Sequence, residues 1–275
     1  MIFVIGGRGR LGSALFRSYP CAEVQALDRA IYQNWYKKNS PDAIARFFEP
    51  WRNQPATIFV AAGILDPRRP LEEHMDVNYY LAKNIIEGAC KHSFCVVTFG
   101  SVMEELIKKQ NFYIQSKTAL GKFVSSSNNG SQCALHIRLH TLYGIGLPSS
   151  FIFLGQIYHA IKNKIPFKMT EGKQLREYHH VDDEVLAIKV LLDKKMHGVI
   201  NLSHGEPLSL SSMAHYIFDN FNLSHLLKVG VLPEPNEENY GTLYSKTSAF
   251  TTIKFRKTLP ALVTYLRSCE QENEA

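Results

Sequence analysis

Nowhere does this chain run to the 18 or so consecutive apolar residues that a membrane-crossing helix needs, and no basic leader precedes its first apolar segment. A span and a secretory signal are both excluded on that reading. Cysteine is scarce and badly spaced for structural use. The five residues (Cys21, Cys90, Cys95, Cys133, Cys269) are odd in number and form no C-x-x-C pair. That pattern argues against a disulfide framework or a zinc site and fits a reducing compartment. Charge of one sign is never concentrated either. The net charge is +6, but the basic residues sit in dispersed pairs such as Lys37-Lys38, Arg68-Arg69, Lys108-Lys109 and Lys194-Lys195. No nucleic-acid-binding motif accompanies them, so the excess is read as a solvated basic surface, or as attraction for an anionic small ligand. Together these features predict a cytoplasmic protein with no metal, nucleic-acid or membrane partner.

With 45% hydrophobic residues in a chain of 275, a substantial core is affordable. The first half alternates short apolar runs with helical patterns. Strands are expected at 2–5, 23–27, 58–61, 94–99 and 134–139, and helices at 11–18, 43–51, 75–91 and 113–125. Such βα alternation implies an α/β fold with a doubly wound, Rossmann-type parallel sheet. After Gly146 the rhythm changes: helices are expected at 151–162, 180–192 and 211–221, the last capped by Ser209 or Ser211, and a returning strand at 199–202. The expected organisation is a dinucleotide-binding domain over 1–146, its sheet completed by about 180–204. A smaller substrate-binding region takes 147–179 and 205–275. A polar loop at 125–131 and a frayed tail from Cys269 complete the reading.

The first strand ends in Gly6-Gly7-Arg8-Gly9-Arg10-Leu11-Gly12, and a helix follows at once. Gly6 permits a tight turn, Gly9 lets a pyrophosphate approach the backbone, and Gly12 allows close helix–strand packing. The helix N-terminus, with Arg8, Arg10 and Leu11 at its start, offers N–H groups to phosphate. Asp28 follows the second strand, where a carboxylate can accept from ribose hydroxyls; a turn residue after the strand is the competing reading. Arg29 beside it, or Arg8, suits the extra phosphate of NADP. NAD and NADP therefore both remain open as the cofactor.

Tyr113 and Lys117 lie one helical turn apart on one face. A nearby ammonium stabilises phenolate and is expected to lower the tyrosine pKa, which makes the phenol a usable acid or base. The spacing occurs three times, at Tyr79/Lys83, Tyr113/Lys117 and Tyr158/Lys162. Only the middle pair follows a buried strand ending in Gly100-Ser101, at the carboxyl edge where doubly wound sheets gather their chemistry.

With these motifs the chain resembles the extended short-chain dehydrogenase/reductase family, which includes nucleotide-sugar epimerases, dehydratases and reductases. The likeness rests on GGRGRLG (6–12), VAAG (60–63), DVN (76–78), Ser101, YIQSK (113–117), RLHTLYGIG (138–146), REYHHVDD (176–183) and NLSHGEPLSLSSMA (201–214). It implies Ser101, Tyr113 and Lys117 as a catalytic triad, with Lys117 also holding the nicotinamide ribose. It implies Ala61, Ala62 and Gly63 as cofactor-lining residues. For the substrate it implies Arg176 gripping a diphosphate, with His140 and Ser101 touching the sugar. For Arg176 an inter-element salt bridge is the competing reading, and for His140 a packed ring. A homodimer built on the helices at 75–91 and 113–125 is also implied.

The chain departs from its relatives in two ways. Only eleven residues separate Ser101 from Tyr113, and Thr98-Phe99-Gly100 precedes Ser101 in place of serines. The resemblance points to an NAD(P)H-dependent reductase of a nucleotide-linked 4-keto-deoxysugar in polysaccharide biosynthesis. A nucleotide-sugar 4-epimerase with tightly held NAD is the alternative, and a non-catalytic NAD(P)-binding regulator the remote one. Glu104-Glu105 are displaced from the position a dehydratase uses.

Overall fold

The computed structural model describes residues 1–107, 110–127, 133–234, 238, 241 and 245–271. The Lys108-Lys109 pair, positions 128–131 of the expected polar loop and the extreme C-terminus lie outside the described residues. The chain divides into two compact units. The first takes Met1–Glu105, Lys109–Leu139 and Ile188–Leu202, and the second Leu106–Lys108, His140–Ala187 and Ser203–Ala275. The expected limit at residue 146 lies beyond the observed change at Leu139.

In the first unit, β1 (Ile2–Ile5), β2 (Val24–Ala26), β3 (Thr57–Val60), β4 (Cys95–Ser101) and β5 (Ala134–Leu139) join the strand Gly198–Asn201 in one sheet. Every pairing is parallel, in the order Gly198–Asn201, β5, β4, β3, β1, β2. Strands covered on both faces should be apolar throughout, and Phe3, Val4, Ile5, Ile58, Phe59, Val96 and Val97 are all buried. After β2 the chain returns past β1 to lay down β3. The sheet therefore reverses direction between β1 and β3, opening the crevice that ligands of such folds use. Behind it the Ser40–Phe48 helix packs its buried Ile44 and Phe48 against the sheet. Phe3 meets Phe48 and Trp51 edge-to-face, each ring pair at 5.0 Å, the arrangement that aligns a ring's positive edge with its neighbour's negative face.

The expected helix at 75–91 is part of a longer helical run. Leu71–His74, Met75–Tyr80 and Leu81–Ala89 follow one another, and the middle segment is a π-helix. The Phe112–Ser127 helix extends past the expected end at 125, so the start of the predicted polar loop is helical. Cysteine chemistry also differs from expectation. Cys90 and Cys133 form a disulfide, with Cα atoms 5.9 Å apart, inside the usual range for such a bridge. Counting cysteines missed it because the two are separated by 43 positions and meet only when β5 folds beside β4.

The second unit has its own core, in which Tyr143, Leu154, Ile157, Phe218, Leu262 and Leu266 are buried. Its helices include Phe153–Asn163, Leu210–Asn220 and Thr258–Gln271. Ser209 caps the second of these by accepting from the Ser212 N–H at 3.1 Å. The Thr258–Gln271 helix lay outside the sequence reading. Cys269, expected to open a frayed tail, is buried, and its carbonyl accepts from the Tyr158 hydroxyl at 2.9 Å. No described helix is long and apolar enough to cross a membrane.

Candidate active site

Where the loops after β1 and β3 cross, side chains cannot be accommodated. Gly6 has φ +86°, and a Cβ there would lie 2.4 Å from the backbone nitrogen of Ala62. Gly12, in the first turn of the Arg10–Arg17 helix, is equally constrained: its Cβ would stand 2.2 Å from the Gly6 carbonyl oxygen. Gly9 differs. A Cβ on it would meet nothing closer than 3.4 Å, so the protein itself does not require glycine at that position. Its side chain is missing on the side where a ligand would approach.

A cleft of about 600 Å³ opens beside this crossing. Gly6, Arg8, Gly9, Asp28, Arg29, Ala61, Ala62 and Gly63, all expected to contact the cofactor, line it. Arg10 and Leu11 are outside the lining set; Leu11 is turned inward and buried. Tyr32, Gln33, Tyr36, Asp76 and Val77 also line the cleft and were not foreseen. Gly9 stands at the helix N-cap with no side-chain cap, which leaves first-turn N–H groups facing the glycine loop. Asp28 is split between two tasks. One carboxylate oxygen accepts from the Ala30 N–H at 2.8 Å and caps the one-turn helix Arg29–Tyr32, while the side chain remains on the cleft wall.

Lys117, Tyr113 and Ser101 are outside the lining set, but Lys117, on the Phe112–Ser127 helix, comes close to the cleft wall. Its Nζ donates to the Phe99 carbonyl oxygen at 2.8 Å and lies 3.6 Å from where a Cβ on Gly63 would be. Tyr113, one turn earlier, is half-buried. Its ring meets His74 edge-to-face at 6.3 Å. Ser101, at the end of β4, accepts from the Met103 N–H at 3.2 Å.

The expected acidification of Tyr113 is not found. Burial, and then the Glu104 carboxylate, push its pKa up to about 12. Burial also pulls Lys117 down to about 8, against the pull of Glu104 in the other direction. Desolvation disfavours both charged forms and is the larger cause for each.

Glu104 was set aside in the sequence as a misplaced acid. It is buried at the centre of the site's support. Oε1 accepts from the Ser101 N–H at 2.7 Å and faces His136 Nε2 at 3.5 Å, and Oε2 accepts from Arg138 Nε at 2.9 Å. His136 Nδ1 in turn bonds Thr98 Oγ1 at 2.8 Å. Burial alone would raise the Glu104 pKa, but His136, the Ser101 N–H and Arg138 together hold it below the ordinary carboxylate range. Room for this carboxylate comes from two glycines. A Cβ on Gly100 would sit 2.1 Å from Oε1, and one on Gly121 would sit 2.7 Å from Oε2.

Asn78, within the π-helical segment, is a second buried node. Its Oδ1 accepts from the Ile64 N–H at 2.8 Å, and its Nδ2 faces Ser116 Oγ at 3.0 Å and His74 Nδ1 at 3.2 Å. Ser116 Oγ donates to the Tyr113 carbonyl at 2.7 Å. The loop after β3 is thereby tied to the helix that carries Tyr113 and Lys117. The DVN triplet signalled this residue's neighbourhood but not its role.

The two remaining predicted residues belong to the second unit. Arg176 Nη2 pairs with Glu238, and Nη1 donates to the Leu175 carbonyl at 2.8 Å, so the guanidinium is held by protein groups. His140 is a largely buried ring with Nε2 3.9 Å from Glu177, and its ring lies 5.0 Å from that of His179.

A parallel sheet that reverses at β1/β3, with a glycine crossing and an anion-seeking helix N-terminus at the reversal, defines a dinucleotide-binding α/β protein. The NAD dependent epimerase/dehydratase family matches residues 2–203, and the chain belongs to it. No curated protein sequence matches. Solved structures with the same fold include Pal from Bacillus thuringiensis (TM-score 0.78, 17% identity, 99% of both chains). Another is the Bordetella bronchiseptica enzyme WbmG in complex with NAD and UDP (0.76, 15% identity, 99% of this chain and 95% of that one). A third is dTDP-4-dehydrorhamnose reductase from Bacillus anthracis in complex with NADP (0.73, 13% identity, 97% and 98%).

Proposed function

We propose that the protein binds NAD(P)H in the glycine-lined cleft and reduces a nucleotide-linked 4-keto-deoxysugar. The observation that carries this reading is the position of Lys117, on the same helix face as Tyr113: its Nζ lies 3.6 Å from where a Cβ on Gly63, a residue of the cleft wall, would be. The cleft fits the cofactor because its floor is glycine where a Cβ would intrude and its helix N-terminus is uncapped. Gly6 and Gly9 with the first helical turn would hold the pyrophosphate, Asp28 the adenosine ribose and Lys117 the nicotinamide ribose. The reduced nicotinamide supplies a hydride.

The chain's own residues supply the rest. Tyr113, with its pKa near 12, is a neutral phenol at working pH and so holds the proton that a carbonyl oxygen needs on reduction. Ser101, its backbone fixed by Glu104, orients that carbonyl. The WbmG and dehydrorhamnose reductase structures, solved with UDP and with NADP, support a nucleotide sugar as the substrate class. A cytoplasmic homodimer is part of the same reading; Arg176, paired with Glu238, would have to release that carboxylate to meet a diphosphate.

The test is to incubate the protein with NADH or NADPH and a panel of nucleotide-4-keto-6-deoxy sugars while following absorbance of the reduced cofactor. Stoichiometric oxidation is expected. Sugar interconversion without net oxidation would replace the reductase by the 4-epimerase. Binding of the cofactor with no turnover of any sugar would leave the regulator.

A further inference from the structure

In the second unit, three buried side chains aim polar atoms at one another without hydrogen-bonding. His179 Nδ1 is 2.5 Å from Glu184 Oε1, and His204 Nε2 is 3.2 Å from the same oxygen. Both contacts are ion-pair contacts, but neither has the alignment an N–H···O bond requires, and Glu184 Oε2 has no hydrogen-bond partner either. His179 is 1% exposed, Glu184 0% and His204 9%, so water does not satisfy these atoms. Leaving such groups unpaired in the interior costs several kcal/mol in general. We propose that His179, Glu184 and His204 bind a divalent transition-metal ion, with zinc as the ion of best-matched chemistry.

The surroundings are those of a metal-binding histidine. Glu177 Oε2 faces His179 Nε2 at 2.7 Å, so in a metal-bound site, where the ring is neutral, its one proton would sit on Nε2 and leave Nδ1 to the ion. Glu177 is itself held, accepting from Ser203 Oγ and from the His204 N–H, both at 2.8 Å. A carboxylate that orients the far nitrogen of a ligand histidine is the usual outer support of zinc sites. Because the nitrogen–oxygen contacts are off the hydrogen-bonding line, an ion to one side of that line can bond both atoms where a proton between them cannot.

All potential ligand atoms of the three residues lie within 4.8 Å of one another. Two imidazoles and a carboxylate suit zinc and its neighbours in the first transition series, not calcium or magnesium, which prefer oxygen throughout. The His179 and His204 rings are stacked at 3.6 Å, with Phe255 stacked at 3.5 Å on the far face of His204. Metal–nitrogen bonds lie in the ring plane, so binding requires the His204 ring to tilt within this stack. The ion would join the strand Tyr178–His180, the first turn of the Val181–Asp193 helix and the segment after the strand Gly198–Asn201. Its role is structural and independent of the proposed reductase.

The full chain, stripped with a chelator and dialysed, is titrated with Zn²⁺ alone, with elemental analysis and thermal unfolding as readouts. One equivalent per chain is expected, with Tm raised by about 5 °C or more at hundredfold excess over Kd. Glu184→Gln and His204→Ala should lose both effects, whereas His215→Ala, on the surface, should keep them. Glu177→Gln should retain the stoichiometry but bind roughly 10–100-fold more weakly. Should either ligand variant unfold, Co²⁺ added to the wild-type chain gives a second readout through its visible d–d bands. Less than 0.2 equivalents of zinc with no cobalt bands overturns the site, as does zinc binding that survives Glu184→Gln and His204→Ala unchanged.

Discussion

Lys117 anchors its ammonium on the carbonyl oxygen of Phe99 at 2.8 Å, joining the helix that carries the candidate acid to the strand that ends in Ser101. The lysine is thus a strut as well as a charge. Its pKa of about 8 lies below the 10.5 of an unfolded lysine, so across that interval the unfolded chain binds more protons. Stability of the cofactor-free protein should therefore rise as pH is taken from about 8 to about 10.5. Lys117→Met should flatten that segment of a denaturant-midpoint profile. Tyr113 acts oppositely at higher pH: folded near 12 against 10 unfolded, it makes stability fall between those values.

Tyr113→Phe should lower turnover by roughly 10²- to 10⁴-fold while leaving cofactor affinity within a few-fold of wild type. Steady-state assays and fluorescence titration separate the two quantities. Tyr79→Phe should leave activity intact. Tyr158→Phe should do so too, at a stability cost of about 1 kcal/mol because its hydroxyl bonds the Cys269 carbonyl.

The glycine loop separates folding from binding. Gly12→Ala drives a methyl group against the Gly6 carbonyl and should lower Tm by several degrees. Gly9→Ala has ordinary space within the protein. It should melt like wild type yet bind NADH or NADPH at least tenfold more weakly. Equal affinity in Gly9→Ala and wild type would remove the pyrophosphate from this loop.

Glu104→Gln tests the support beneath the site. Leaving His136 and Arg138 without their shared carboxylate should cost about 3–5 kcal/mol in urea unfolding. Because the carboxylate holds Tyr113 up, the basic limb of the pH–rate profile should move to lower pH in the variant. An unmoved limb with lowered stability would reduce Glu104 to a packing role.

The Cys90–Cys133 bridge should appear as one linked peptide pair in a non-reducing digest. Cys90→Ser should destabilise the chain by up to about 4 kcal/mol, the loop-entropy value for a separation of 43 residues. Identical unfolding with and without reductant would show the thiols free in solution.

Local features were the readable ones. The glycine loop announced itself because turn, ligand approach and helix start fall within seven consecutive residues, and the parallel strands because burial on both faces leaves continuous apolar runs. Lys117 was selected by its place after β4, although its pKa partner turned out to be desolvation. Glu104 was illegible because its partners His136 and Arg138 lie 32 and 34 positions away and meet it only through the β4–β5 register. Asn78 depends on a π-helical turn that no apolar period marks. Arg176 has donors suited to phosphate, yet no pattern in the chain exposed its pairing with Glu238 62 positions on.

The disulfide has a consequence for how the chain responds to proteases. Ser101, Tyr113 and Lys117 all fall between Cys90 and Cys133, inside one covalent ring. A single cut within that stretch would leave both fragments tethered just ahead of β5, running as one species on a gel until thiol is added. Nicked protein would thus retain every residue assigned to the chemistry, and only the loss of the bridge would let the halves part.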